Sequence, residues 1–141
     1  MISQLTFRRI ENLKDIAGKD EISRSSLSEW YQSVRDKPLG QFSDKDFGIA
    51  CRQQLYTEFV VPALLSRLES EPLAGDMYDG ELLMALSALP KTFWEHCFGA
   101  KHALRTMLES NDLETDDTDV CSAIDKLRSV AITPQTEKGQ A

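Results

Sequence analysis

The sequence predicts an all-α domain, and three observations support this. Apolar residues recur at helical spacing along most of the chain, and Pro, Gly and Ser separate the apolar runs where helices would begin and end. No window alternates apolar and polar residues as a half-exposed strand does. The length of 141 residues suits one domain. We predict about six to seven helices packed as an antiparallel bundle over residues 1–132, with a flexible polar tail at 133–141.

Two helices and a turn are predicted near the N-terminus. The first helix spans 4–16 and the second spans 26–36, where Ser26 is the expected N-cap. Their apolar positions are Leu5, Ile10, Leu13 and Ile16 in the first helix and Leu27, Trp30, Tyr31 and Val34 in the second. Pro38 forces Lys37 out of helical geometry, so the chain turns here.

Two further helices are predicted in the middle of the chain. Ser43 caps the first of them, which runs to about Leu55, and two aspartates follow Ser43 at the positive end of the helix dipole. Pro62 cannot lie deep in a helix without a kink. It therefore belongs to the first turn of a helix over 59–70, or it bends a longer one.

A loop over 71–75 leads to two more predicted helices. Asp79 is expected to cap a helix over 80–89. Pro90 then lies at the start of one long helix over 91–109, which a single glycine is not expected to break.

An acidic run follows at 109–119, with six acids and no base. Thr118 or Asp119 is predicted to cap a last helix up to about Val130, whose apolar stripe is Val120, Ile124 and Leu127. Two interpretations of the run remain open. It is either a hydrophilic loop with acids near a helix N-terminus, or a docking surface for a basic protein.

The net charge of −7 is unevenly distributed. Residues 1–70 carry ten acids and ten bases, whereas residues 71–141 carry thirteen acids and six bases. An acidic surface formed by the second half repels nucleic-acid phosphate and attracts cations or basic proteins. The composition therefore disfavours a DNA- or RNA-binding role.

Cysteine usage and the N-terminus predict a cytoplasmic protein. Three cysteines cannot all pair, and we interpret them as reduced packing residues. They are Cys51, Cys97 and Cys121. The first residues lack the order of a signal peptide, and no apolar stretch approaches the roughly 18 residues of a membrane span.

Catalytic signatures are missing from the sequence, which contains no phosphate loop, no GxSxG and no CxxC. His96 and His102 lie six residues apart, or about 600° round a helix, so they would not share one face as metal ligands do. Paired carboxylates are present, but nothing in the sequence supplies the cleft that acid–base catalysis needs. These pairs are Asp76 with Asp79 and Asp116 with Asp117. We predict no catalytic, cofactor or metal site.

The stretch 37–94 contains a series of short motifs in a characteristic order. They are Lys37-Pro38-Leu39, Asp46, Gln53 or Gln54, Val61-Pro62-Ala63-Leu64 and Gly75-Asp76-Met77-Tyr78-Asp79-Gly80-Glu81-Leu82-Leu83. In this order and spacing, the stretch resembles the immunity proteins of bacterial contact-dependent growth inhibition (CDI) systems, the CdiI proteins. Residues 95–141 lie beyond the resemblance.

The resemblance implies a helical cytoplasmic protein that binds one toxin domain tightly and blocks it. The toxin is the variable C-terminal domain of a large surface-delivered CdiA protein, and many such domains are nucleases, which often attack tRNA. An acidic inhibitor suits that partner, because a nuclease site is basic and opposite potentials speed association. We therefore predict an immunity protein without catalysis, which occludes the active site or substrate path of its toxin. No cofactor, direct nucleic-acid partner or membrane partner is expected.

Charged contacts with the toxin are expected mainly in the acidic run and secondarily in the loop before the helix at 80–89. The predicted contact residues are Glu109, Asp112, Glu114, Asp116, Asp117, Asp119, Asp76, Asp79 and Glu81. The residues assigned to the fold instead are Pro38, Pro62, Tyr78 and Gly80.

Two other functions remain open from the sequence. An acidic helical adaptor would bind another basic protein through the same surface. An enzyme could hold Mg²⁺ or Mn²⁺ with its carboxylates, since these ions prefer oxygen ligands. The Glu-x-x-His spacing of helical metal-carboxylate sites is missing, however, so we rank the enzyme last.

Overall fold

The computed structural model describes residues 4–14, 26–111 and 113–132, and it confirms the all-α prediction. This part of the chain forms eight α-helices and no strand. The helices are α1 Phe7–Lys14, α2 Ser26–Val34, α3 Asp44–Arg52, α4 Thr57–Ser70, α5 Glu81–Ser87, α6 Lys91–His96, α7 Phe98–Ser110 and α8 Thr118–Ile132. A 3-10 turn at Leu39–Gln41 follows Pro38. None of the helices described is long and apolar enough to cross a membrane.

One apolar core contains buried residues from all eight of the helices described. α5 packs on α8 and α3, α4 packs on α7 and α3, and α7 packs on α8. The fully buried side chains of this core include Leu64, Leu68, Leu82, Leu83, Leu86, Leu104 and Met107. The predicted apolar stripe of α8 is confirmed, because Val120, Ile124 and Leu127 are all buried in this core.

The predicted apolar face of α1 is wrong in part. Ile10 is fully buried, but Leu13 is 57% exposed and Phe7, which was not predicted, is buried. The reason is the position of the helix start. Thr6 accepts hydrogen bonds from the amides of the first turn, with Arg9 N at 3.1 Å from its hydroxyl, so Phe7 is the first residue of α1 and shares a face with Ile10. Ile16 lies outside the described residues.

Helix α2 begins at Ser26, and the residues before it lie outside the described part, so its predicted cap is not tested. Tyr31 and Val34 are buried as predicted. Trp30 is half-buried, with its indole N–H donating to Asp46.

The predicted cap of α3 is confirmed. Ser43 Oγ accepts a hydrogen bond from Asp46 N, and the Asp46 carboxylate accepts one from Ser43 N, each at 3.1 Å. This reciprocal pair is a capping box. The helix ends at Arg52 instead of continuing to Leu55, because Gln54 and Tyr56 have positive φ angles of 54° and 47°.

We expect Ser43→Ala to lower the free energy of unfolding by about 1 kcal/mol, since the Asp46 amide loses its acceptor. Ser66→Ala is the matched control, because Ser66 is exposed in the middle of α4, and its effect should stay within about 0.5 kcal/mol. Urea denaturation measures both changes. Equal losses in the two variants would contradict the capping role.

Three predicted helix boundaries are corrected by the structure. α4 begins at Thr57, so Pro62 is its sixth residue, which excludes a first-turn position and leaves the alternative of a longer helix that contains the proline. Gly80, at φ 88°, occupies the N-cap position of α5 that was predicted for Asp79. The predicted helix over 91–109 is two helices, because Cys97 leaves helical geometry at φ −119° and ψ 76°.

The cap of α8 also differs from the prediction. Asp117 Oδ1 accepts hydrogen bonds from the backbone amides of Asp119 at 2.9 Å and Val120 at 3.1 Å. Asp117 therefore supplies the cap that we had expected from Thr118 or Asp119.

Candidate functional site

Two acid-bearing segments that are distant in the sequence, the loop before α5 and the start of α8, come close together where the two helices begin. Gly80 lies directly against Val120, since a Cβ atom built on Gly80 would be 2.7 Å from Val120 Cγ1. Asp79 and Asp119 are the chain neighbours of this contact, so the loop before α5 and the start of α8 lie side by side. We call this surface the acidic face, and its residues are Asp76, Asp79, Asp116, Asp117 and Asp119.

The carboxylates of the acidic face are open to solvent. All five residues are exposed, and none forms an ion pair with another described residue. Asp117 also caps α8, where the positive end of the helix dipole stabilises its charge. A group of exposed acids produces a negative potential that attracts cationic surfaces.

The remaining predicted contact residues differ in their surroundings. Glu109 is exposed near the C-terminus of α7 and pairs with Arg105 at 3.1 Å, which partly neutralises it. Glu114 is exposed between α7 and α8. Asp112 lies outside the described residues. Glu81 is only 6% exposed and faces inwards.

The buried Glu81 carboxylate holds the loop before α5 in one conformation. Its Oε1 accepts hydrogen bonds from the backbone amides of Asp76 at 2.7 Å and Met77 at 2.8 Å. Its Oε2 lies 3.3 Å from Arg52 Nη1. A direct contact of Glu81 with a partner would have to displace these bonds. Glu81 therefore positions the loop, whereas its exposed neighbours face the solvent.

Two apolar side chains project from this loop. Met77 is 79% exposed and Tyr78 is 44% exposed. The sequence analysis assigned Tyr78 to the fold and did not single out Met77. The available signal was the position of two large apolar residues in a loop between two aspartates, where no helical face buries them.

The family model of the CDI immunity proteins matches residues 11–104, which is 94 of the 141 residues. The chain belongs to this family. Membership makes it an immunity protein against a CDI toxin, and it indicates a role without catalysis. No curated protein matches the chain.

The matched region of this CDI immunity protein contains only part of the acidic face. Asp76 and Asp79 lie within it, whereas Asp116, Asp117 and Asp119 lie beyond its end at residue 104. The face therefore combines a segment that the family model describes with one that it does not cover.

Two residues of the sequence motifs, the buried Asp46 and the partly exposed Lys37, form an ion pair in the CDI immunity protein. Lys37 Nζ lies 2.8 Å from Asp46 Oδ2, and Trp30 Nε1 donates to Asp46 Oδ1 at 2.9 Å. Burial alone would raise the pKa of the Asp46 carboxyl, but the hydrogen bonds from Lys37 and Trp30 outweigh it and lower the pKa. This pair joins the turn before α3 to the start of that helix, so these motif residues serve the fold.

A second buried polar cluster was missed by the sequence analysis. Glu11 is 3% exposed and accepts hydrogen bonds from Arg35 Nε, at 3.1 Å, and from the Tyr31 hydroxyl. Tyr56 in turn donates to the Tyr31 oxygen at 2.8 Å. Burial, followed by the bond to Glu11, raises the pKa of Tyr31. The cluster ties α1 and α2 to the turn before α4.

Metal binding has no geometric support among the residues described. No group of three His, Cys, Asp or Glu side chains there could hold an ion. His96 ends α6 and His102 lies in α7, and both are exposed.

Proposed function

We propose that this CDI immunity protein neutralises one cognate toxin domain by covering the active site or substrate path of the toxin with its acidic face. The observation that supports this is the contact of Gly80 with Val120, which unites two acidic groups on one surface of a family member. The protein would act by occupying that site, with no chemistry of its own.

The charge of the face favours a nuclease as the toxin. A nuclease has to hold phosphate groups, so its substrate site is basic. Exposed carboxylates complement such a site, and opposite potentials increase the rate of encounter and orient the partners. We propose an RNase as the target, with tRNA as its substrate, in line with the family resemblance.

Charge reversal on the acidic face tests this proposal. We choose Asp79→Lys with Asp116→Lys, one residue from each acidic group, and leave Asp117 unchanged because it caps α8. The partner is the CDI toxin domain encoded beside this protein. At low salt, we expect the association rate constant to fall by at least about tenfold and its dependence on salt to become flatter, because steering is lost. Stopped-flow measurements over a range of salt concentrations give both quantities.

The control variant reverses two exposed acids on other helices. Glu29→Lys with Glu69→Lys changes the net charge by the same amount but leaves the acidic face intact. Its association rate should stay within about threefold of the wild type. Equal effects in the two double variants would contradict a local role for the face. If the wild-type protein neither binds the toxin domain nor protects cells that express it, the proposed function itself is wrong.

A further inference from the structure

We infer that Met77 and Tyr78 form an apolar anchor that inserts into a pocket on the basic surface of the toxin domain, and that the acidic face surrounds this anchor. The inference rests on the proposed function and deepens it. It separates two tasks: the acids set the rate of association, whereas the two apolar side chains set how long the complex lasts.

The exposure of the two side chains is the first argument. Met77 is 79% exposed and Tyr78 is 44% exposed, at adjacent positions of one loop. Leaving such surface in water forgoes the free energy of its burial, and exposed apolar patches rimmed by polar groups mark interaction sites. Tyr is also among the residues that most often contribute large binding energies, because its ring has a large area and little rotational freedom.

The loop that presents these side chains is fixed before any partner arrives. Glu81 Oε1 accepts hydrogen bonds from the amides of Asp76 and Met77, at 2.7 and 2.8 Å. Gly80 N donates to Leu73 O at 2.8 Å. A preformed loop loses little conformational entropy on binding, so more of the contact energy appears as affinity. These hydrogen bonds therefore give the loop the preformed conformation that an anchor requires.

The surrounding charges identify the partner. Asp76 and Asp79 flank the anchor in the sequence, and the Gly80 contact with Val120 adds the acids at the start of α8. A second copy of this chain would bring like charges together, and an anionic lipid surface would be repelled. A basic protein surface with an apolar pocket fits both features, with charges at the rim and apolar contacts at the centre. The toxin domain is such a partner.

Dissociation kinetics test the anchor. We expect Met77→Ala with Tyr78→Ala to increase the dissociation rate constant of the toxin complex by about 10- to 100-fold. The association rate constant and its salt dependence should not change, because no charge is altered. Surface plasmon resonance with the immobilised toxin domain measures both constants. Because both side chains are exposed, the melting temperature of the free protein should be unchanged, which a thermal scan verifies.

Phe98→Ala is the matched control, since Phe98 is 62% exposed but lies at the opposite end of α7 from the loop that leads to the acidic face. It should leave the dissociation rate constant unchanged. Tyr78→Phe should also dissociate within about twofold of the wild type, because it keeps the ring. If Tyr78→Phe increased the dissociation rate constant as much as the double alanine variant does, the hydroxyl would make the contribution. That result would overturn an apolar anchor.

The failure of the anchor and that of the proposed function give different results. If the wild type binds and protects but the Met77 and Tyr78 variant dissociates at the wild-type rate, the anchor is wrong and the immunity function stands. If the wild type does not bind the toxin domain, both are wrong.

Discussion

Gly75→Ala is expected to lower the free energy of unfolding by about 3 kcal/mol. A Cβ atom at this position would lie 2.1 Å from the carbonyl oxygen of Tyr78 and 2.7 Å from Glu81 Cβ. These atoms belong to the backbone and to the root of a buried side chain, so neither can move aside alone. The loop has to open, and the hydrogen bonds that its amides donate to the Glu81 carboxylate are strained or lost. A decrease of about 10 °C in the melting temperature should follow.

Gly99→Ala is the control for this substitution. Gly99 lies inside α7, and a Cβ atom built on it meets nothing within 4 Å. Alanine restricts the unfolded chain and favours the helix, so this variant should be more stable than the wild type by about 0.5–1 kcal/mol. The midpoints of chemical denaturation of the two variants should therefore shift in opposite directions. A loss of stability in both would show that the loop clash is not the cause.

The Gly75 variant also links the fold to toxin binding. If the loop opens, Met77 and Tyr78 lose the fixed positions that Glu81 gives them. Below the melting temperature of the variant, the toxin complex should dissociate faster while the charges that steer association remain. If a destabilised Gly75 variant dissociated from the toxin domain at the wild-type rate, the loop conformation would not matter for binding.

Local interactions account for what the sequence predicted correctly. The cap of α3 depends on Ser43 and on Asp46 three residues later, and the stripe of α8 depends only on helical periodicity. The acids at 76–79 and at 116–119 could each be identified from composition. The closeness of these two segments in the fold could not be predicted. The contact of Gly80 with Val120 joins positions 40 residues apart and has no pattern in the sequence.

The wrong predictions also arise because contacts between residues that are distant in the sequence have no pattern in it. The break between α6 and α7 lies at Cys97, which carries no breaker signal, whereas Gly99 stays helical. Tertiary packing overrides the weak helix propensity of a single residue. The ion pair of Glu11 with Arg35 spans 24 positions, so no helical spacing connects its members.

Glu11→Gln is expected to lower the free energy of unfolding at pH 7 by about 3 kcal/mol, because it leaves the Arg35 guanidinium without a charged partner in a largely buried site. Burial opposes the charged form of Glu11, but the hydrogen bonds from Arg35 and Tyr31 outweigh it and lower its pKa. Folding therefore favours the ionised carboxylate over the neutral acid. The amide oxygen of the variant can still accept hydrogen bonds, but it cannot carry the charge.

The pH dependence of stability identifies this charge. Because the pKa of Glu11 is lower in the folded protein, its contribution is fully present above the unfolded value of about 4.3 and is lost as the pH falls through the folded pKa. The difference in stability between the wild type and Glu11→Gln should thus be constant from pH 7 to about pH 5 and should shrink below it. Glu109→Gln, which alters the exposed pair with Arg105, should cost at most about 0.5 kcal/mol. A Glu11→Gln difference that stays constant down to pH 3 would mean that hydrogen bonding and packing, without the charge, hold α1 against α2.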